Sequence, residues 1–294
     1  VSTATPVRSA AGLAALAAAS AIWGGMYVAT AALMRRTPPL VVLELREVLA
    51  AAVLVPIAAR RGVLRVARRD LGTLVATSIV GFTVSIGLQL EGTHIAGAAL
   101  GSLVTAASPV LIAILGALWL KEPLRPLRLA AIAVAVAGVA LIAGRPPGGP
   151  GTEGGIVLLG AAALAWALYT VGSAHLTRRY DALGIVALAS AIGALTSLPF
   201  AVLSAASSPH PLPSGIVPWA EVAYVAFAGM ALAFVLWSWG FRTVHAAVGG
   251  TMLLFQPLVG VVLGVALLGE PVTESLVVGG LLVVAGVSGA IVLG

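Results

Sequence analysis

The chain is 294 residues long, 60% hydrophobic and only 9% charged, with a net charge of +6 and no cysteine. A soluble domain carries about 25% charged residues, so a chain this poor in charge cannot cover its surface with water-compatible groups and is solvated by lipid instead. Its basic residues fall in short segments between apolar runs, which reads as orientation charge facing anionic headgroups and not as a nucleic-acid surface. The lack of cysteine excludes disulfides, thiolate chemistry and cysteine-based metal sites.

A helix needs about 20 apolar residues to cross about 30 Å of hydrocarbon. In chain order, spans are predicted at 11–34, 40–59, 70–90, 95–119, 126–144, 154–177, 183–204, 219–241, 246–268 and 273–293. The first run is too long for the apolar stretch of a signal peptide and reads as the first span. Thr37-Pro38-Pro39 separates the first two spans, Arg60 to Asp70 the next two, and Arg145-Pro146-Pro147 and Ser208-Pro209-His210-Pro211 break the chain later. Apolar runs of this length do not alternate as barrel strands do. The fold class is therefore an all-α membrane protein of ten transmembrane helices.

Orientation follows from Arg and Lys. With the N-terminus in the cytoplasm, twelve basic residues fall inside: Arg8, Arg60, Arg61, Arg65, Arg68, Arg69, Lys121, Arg125, Arg128, Arg178, Arg179 and Arg242. Three fall outside, Arg35, Arg36 and Arg145, and Arg46 lies within a span. This positive-inside bias predicts a multi-pass protein of the plasma (inner) membrane with both termini cytoplasmic.

The chain also matches itself. Adding 148 to the position carries Gly101 to Gly249, Pro109 to Pro257, Leu120 to Leu268, Glu122-Pro123 to Glu270-Pro271, and Val136-Ala137-Gly138-Val139 to Val284-Ala285-Gly286-Val287. Adding 143 carries Trp23 to Trp166 and Pro56 to Pro199. Two units follow, 1–148 and 149–294, each of five spans. Five is odd, so the second unit enters the membrane inverted relative to the first. Inverted repeats are the architecture of many secondary transporters, with the substrate between the halves near the midplane.

Two five-helix repeats, each with a helix running from Pro109 to Lys121-Glu122-Pro123 or from Pro257 to Gly269-Glu270-Pro271 and then an Ala-Gly-Val helix, resemble the EamA family of the drug/metabolite transporter superfamily. The resemblance spans essentially the whole chain. It implies a secondary transporter that exports small organic metabolites by alternating access: amino acids or related neutral, zwitterionic or aromatic solutes, or drug-like compounds. The superfamily also implies an alternative, a nucleotide-sugar or sugar-phosphate exchanger. An intramembrane enzyme or a channel is a further alternative. The sequence has no Walker motif, nucleophile elbow or metal-ligand spacing, so neither a cofactor nor a metal is expected.

Certain residues stand out as candidates for substrate contact. Trp23, Tyr27, Thr30 and Met34 share one face of the first span, and Trp166, Thr170, Ser173 and Thr177 one face of the sixth. The two tryptophans fall near mid-span, where they are expected to wall a central cavity, whereas Trp219, Trp237 and Trp239 read as interfacial belt residues. Pro109 and Pro257 are expected to kink their helices, each beside a polar residue, Ser108 or Gln256, and to free the carbonyls of Thr105 and Leu253. Arg46 lies about 9 Å inside the second span by helix rise, a costly depth for a charge. A polar network at the outer mouth is expected from Arg46, Glu44 and Glu47 with Gln89, Glu91 and His94 of the connection after the third span. The resemblance favours Arg46 among these, because similar family members carry an arginine in this helix. A carboxylate in low dielectric can load and release protons, which makes Glu47 and His94 the candidates for proton coupling. The expected partners are thus a small-molecule substrate, the lipid bilayer and protons, with no nucleic acid.

Overall fold

The computed structural model describes residues 10–120, 126–144, 151–240 and 252–292. The described residues are almost entirely helical and contain no strand. In lipid no water is present to satisfy an exposed N–H or C=O, so the chain meets these needs within helices. We number the helices α1 (Ala10–Leu33), α2 (Pro39–Arg60), α3 (Arg68–Ala96), α4 (Ala98–Thr105, then Ser108–Leu120), α5 (Pro126–Gly144) and α6 (Thr152–Gly172). They continue with α7 (Ala182–Ala206), α8 (Ile216–Ala223, Tyr224–Leu232 and Ala233–Gly240), α9 (Phe255–Leu268) and α10 (Glu274–Val292).

Boundaries follow local chemistry. Pro39 opens α2 at a position whose N–H has no helical partner. The Asp181 carboxylate caps α7 by accepting from the Leu183 N–H at 2.9 Å. Where 70–90 was expected, α3 runs on to Ala96, so Gln89, Glu91 and His94 sit on its last turns and not in a connection. Among the described residues, six helices are long and apolar enough to cross a membrane by length and composition: α1, α3, α4, α6, α7 and α8. At 22 residues α2 is as long, but it carries Glu44, Arg46 and Glu47.

The packing has the symmetry of the repeat. α1 packs on α8 and α9, and α6 packs correspondingly on α3 and α4. α2 meets α8 as α7 meets α3, while α2 with α7, α5 with α10 and α4 with α9 form pairs that the repeat maps onto themselves. Two groups result, α1–α8–α9 and α3–α4–α6, tied together by the α2–α7 and α5–α10 pairs. Outward-facing apolar side chains, such as Leu195 at 74% and Leu203 at 68% exposed, form the surface offered to lipid.

Two features of this symmetry carry no signature in residue type. The middle of α3 (Ile79–Ser85) and the middle of α8 (Tyr224–Leu232) are both π-helical. Such wide turns leave backbone carbonyls for other donors and recur at functional sites. The prolines differ from expectation. Neither kinks a continuous helix. The α4 helix is interrupted at Ala106–Ala107, and Pro109 lies in the first turn of its second segment. Pro257 likewise lies in the first turn of α9, after a 3-10 turn over Met252–Leu254. An N-terminal turn accepts proline because its N–H groups lack helical acceptors.

The α5–α10 pair is held by small residues. A Cβ on Gly138 would press on the Gly279 carbonyl and Val283, and one on Gly286 would press on the backbone of Ala131 and Ala135. Such contacts replace the hydrophobic driving force that lipid removes. Gly286→Val should therefore lower stability by about 1–3 kcal/mol through overpacking, read as a lower unfolding temperature of the detergent-purified protein. Gly160→Ala on α6, with no atom within 4 Å of the added carbon, should leave that temperature unchanged or raise it.

Candidate functional site

The site lies where α1, α2, α4, α8 and α9 converge. Small residues bring these helices together: Gly24 of α1 sits against the Gln256 carbonyl and Val259 of α9, and Gly260 of α9 sits against Ser102 of α4. This approach lets side chains of both repeats form one hydrogen-bonded row. The Thr105 hydroxyl donates its proton to the Gly101 carbonyl at 2.6 Å. Its oxygen is therefore the acceptor for the buried Tyr27 hydroxyl, 2.5 Å away, and Gln256 Nε2 donates in turn to Tyr27 across a longer 3.5 Å.

Beside this row lie two buried charges. Arg46 is 8% exposed and Glu47 not at all. The Arg46 guanidinium donates to Met230 Sδ at 3.2 Å, its Nε lies 3.6 Å from Glu47 Oε1, and it is within electrostatic reach of Tyr27. Met230 belongs to the π-helical part of α8. Glu47 points toward α7, close to Gly193, with Ser190 facing it. Among the described residues, Arg46 Nε and both Glu47 oxygens are buried without a hydrogen-bond partner. Unmet hydrogen bonds on buried charges are costly, and the Arg46–Glu47 contact and the nearby Ser190 offset part of that cost.

The structure separates several residues that the sequence groups together. Trp23 and Trp166 pack on different aromatic clusters, one in each helix group. The Trp23 indole donates to the Gly229 carbonyl at 2.9 Å, a carbonyl of the α8 π segment, and packs against Phe234 and Trp237. Trp237 is thus part of this cluster, while Trp219 and Trp239 are 43% and 44% exposed. Trp166 packs on Phe82, from the α3 π segment, and on Tyr169. The Thr170 hydroxyl turns back to the Trp166 carbonyl at 2.8 Å. The Ser108 hydroxyl donates to the Thr105 carbonyl at 2.6 Å, which satisfies the very group that Pro109 leaves free. Glu44 accepts from Ser197 of α7 at 2.7 Å.

His94 is exposed at the end of α3 and is not joined to Arg46 or Glu47. The expected mouth network is therefore divided: Glu44 and Glu47 face α7, Arg46 faces α8, and His94 pairs electrostatically with Glu91. His245 and the side chain of Thr177 lie outside the described residues, as do Lys121, Glu122 and Pro123. Sequence reasoning missed Met230 and the Thr105 hydroxyl. Nothing in an apolar run marks a π segment, and a threonine in a membrane helix usually bonds its own backbone. No group of three or more His, Asp or Glu suited to a metal exists among the described residues.

A polytopic helical bundle whose two halves pack in corresponding ways is an architecture of membrane transporters. A sequence model of the EamA-like transporter family matches residues 10–144 and again 153–292, so the chain belongs to that family. Among its relatives is the uncharacterized transporter YetK of Bacillus subtilis (strain 168), 33% identical over 87% of this chain and 79% of that protein. Another is a probable terminal-alkyne amino-acid exporter of Streptantibioticus cattleyicolor, 30% identical over 83% of this chain and 82% of that protein. One solved crystal structure superposes with a TM-score of 0.67 over 96% of each chain at 22% identity, a likeness of fold.

Removing one member of a buried ion pair costs about 3–5 kcal/mol because the other charge is left behind. Arg46→Met should therefore destabilise the protein strongly, and Arg46→Met combined with Glu47→Gln should destabilise it less than Arg46→Met alone. Thermal unfolding of both variants in detergent checks this.

Proposed function

We propose that this transporter exports amino acids or related zwitterionic solutes by alternating access, with the substrate held between two repeats divided at 148/149. The observation that carries the reading is the buried Arg46–Glu47 pair, short of hydrogen bonds, next to the Tyr27–Thr105–Gln256 row. Arg46 supplies a fork for a carboxylate, Tyr27 and Gln256 supply orientable polar groups, and Trp23 and Met230 supply apolar walls. The relative described as a terminal-alkyne amino-acid exporter supports the substrate class. By the positive-inside pattern, the α4 N-terminal end of the bundle is the outer face of the plasma membrane and both termini are cytoplasmic.

A nucleotide-sugar or sugar-phosphate exchanger is the weaker reading. Such a substrate carries two or more negative charges, and Arg46 is the only buried cationic side chain among the described residues. Exchange that strictly requires a phosphate substrate would decide for it.

The test is counterflow of radiolabelled neutral amino acids in proteoliposomes. Saturable flux is expected. A lost charged hydrogen bond is worth about 1.5–3 kcal/mol, so Arg46→Ala should weaken apparent affinity by about ten- to a hundredfold, with Arg46→Lys retaining part of it. No saturable flux of any amino acid would overturn the substrate class.

Proton coupling belongs to the same proposal and rests on Glu47 alone. Its buried carboxylate faces Ser190 and Gly193 of α7 and has Arg46 beside it. Glu47→Gln should keep counterflow, which needs no net proton movement, and should abolish stimulation of net flux by an imposed pH gradient. Stimulation that persists in the variant would exclude Glu47 as the coupling group.

A further inference from the structure

One contact joins the two helix groups at the end of the bundle where α4 begins. The turn after α9 carries Glu270, whose carboxylate accepts from the Ala98 N–H at 2.5 Å and the Ala99 N–H at 2.7 Å. These are first-turn donors of α4, which have no helical acceptor and sit at the positive end of the helix dipole. The carboxylate thus comes from the α1–α8–α9 group and the donors from the α3–α4–α6 group.

The cradle around this carboxylate is specific. Gly97 precedes α4 at φ +92°, a conformation that favours glycine, and a Cβ there would lie 2.7 Å from a Glu270 oxygen. A Cβ on Gly264 of α9 would lie equally close to the other oxygen. Two glycines on opposing groups therefore leave the space that the carboxylate fills.

What the contact holds in place is a cover. Ala98 packs on Tyr27 and Val28 of α1, with Ala31, Leu263 and Leu268 completing the cluster. Tyr27 is the residue bonded to Thr105. With Glu270 bound, the first turn of α4 thus lies over the Tyr27–Thr105 row. Glu270 itself is only half-buried, so water can replace the two donors when the groups part. In sequence the same Glu-Pro pair recurs in the first repeat as Glu122-Pro123.

We infer that Glu270 is a gating latch: its bonds to the α4 N-terminus hold the transport pathway shut at this end, and they break each time that end opens. The latch rests on the alternating-access reading above. It stabilises the state closed at the α4 N-terminal end relative to the state open there, so weakening it moves the population toward opening at this end and away from opening at the other.

The chain has no cysteine, so a single Thr105→Cys reports on access to the row. Its rate of modification by a membrane-impermeant methanethiosulfonate is measured in right-side-out and in inside-out vesicles, in three forms: with Glu270 intact, with Glu270→Gln and with Glu270→Ala. Both Glu270 variants should speed modification from the α4 N-terminal side by about tenfold or more, equivalent to about 1.4 kcal/mol, and slow it from the opposite side. That reciprocal change distinguishes a shifted equilibrium from a loosened protein. Unchanged rates from both sides, or faster modification from both, would overturn the latch. Leakage of the impermeant reagent through the protein to the far compartment with Glu270 intact, which requires both ends open at once, would instead overturn alternating access itself. Gly97→Ala, which crowds the carboxylate without removing it, should act in the same direction as Glu270→Ala.

Discussion

A bilayer supplies no hydrogen-bond partner, so every break in a helix has to be answered by another part of the protein. The consequence is visible wherever this bundle departs from a regular helix. The carbonyl of Thr105, before Pro109, receives the Ser108 hydroxyl. The Gly229 carbonyl, in the α8 π segment, receives the Trp23 indole. The free N–H groups of Ala98 and Ala99 receive Glu270. These departures cluster on the inner side of the bundle, where other helices can supply the missing partner. The polar interior of the transporter is in this sense a set of answered backbone groups around one buried ion pair, Arg46 and Glu47.

Duplication places the departures from regular helix, though not their partners, in corresponding helices. Each π segment lies in the third helix of its repeat: Phe82 of the first packs on Trp166, and Met230 of the second accepts from Arg46. Arg46 itself has no such counterpart, because adding 143 reaches Ala189. The scaffold is symmetric while the charged pair belongs to the first repeat alone. The two halves thus share their packing but not their charge.

Much of this architecture is legible in the sequence because the signals are long or rare. Ten apolar runs, the Trp23/Trp166 and Pro56/Pro199 matches and the repeated Glu-Pro pair lead to the helices, the repeat and the family. The site is less legible. Arg46 stands out because charge at that depth is costly, and Tyr27 and Gln256 because they are polar in apolar runs. What they touch depends on glycine approaches such as Gly24 to α9, which sequence alone does not place. Trp23 and Trp166 illustrate the limit: their positions match in the sequence, yet each packs on the third helix of a repeat, α8 for one and α3 for the other, in separate aromatic clusters. His94 stands on the last turn of α3, which continues past the span boundary expected at residue 90.

The composition of α2 also bears on how the protein is made. A charged side chain at the centre of a helix costs about 2.5–3.5 kcal/mol during insertion by the translocon, and α2 carries Glu44, Arg46 and Glu47 within its first three turns. The helix that meets Glu44 and Glu47 is α7, which emerges from the ribosome more than a hundred residues later. Of the helices that α2 packs on most in the bundle, α3, α7 and α8, only α3 precedes α7 in the chain. Biogenesis of this protein is therefore a cooperative event across the two halves of the chain: the first half enters the bilayer with its functional charges unsheltered, and synthesis of the second half is what lets them settle.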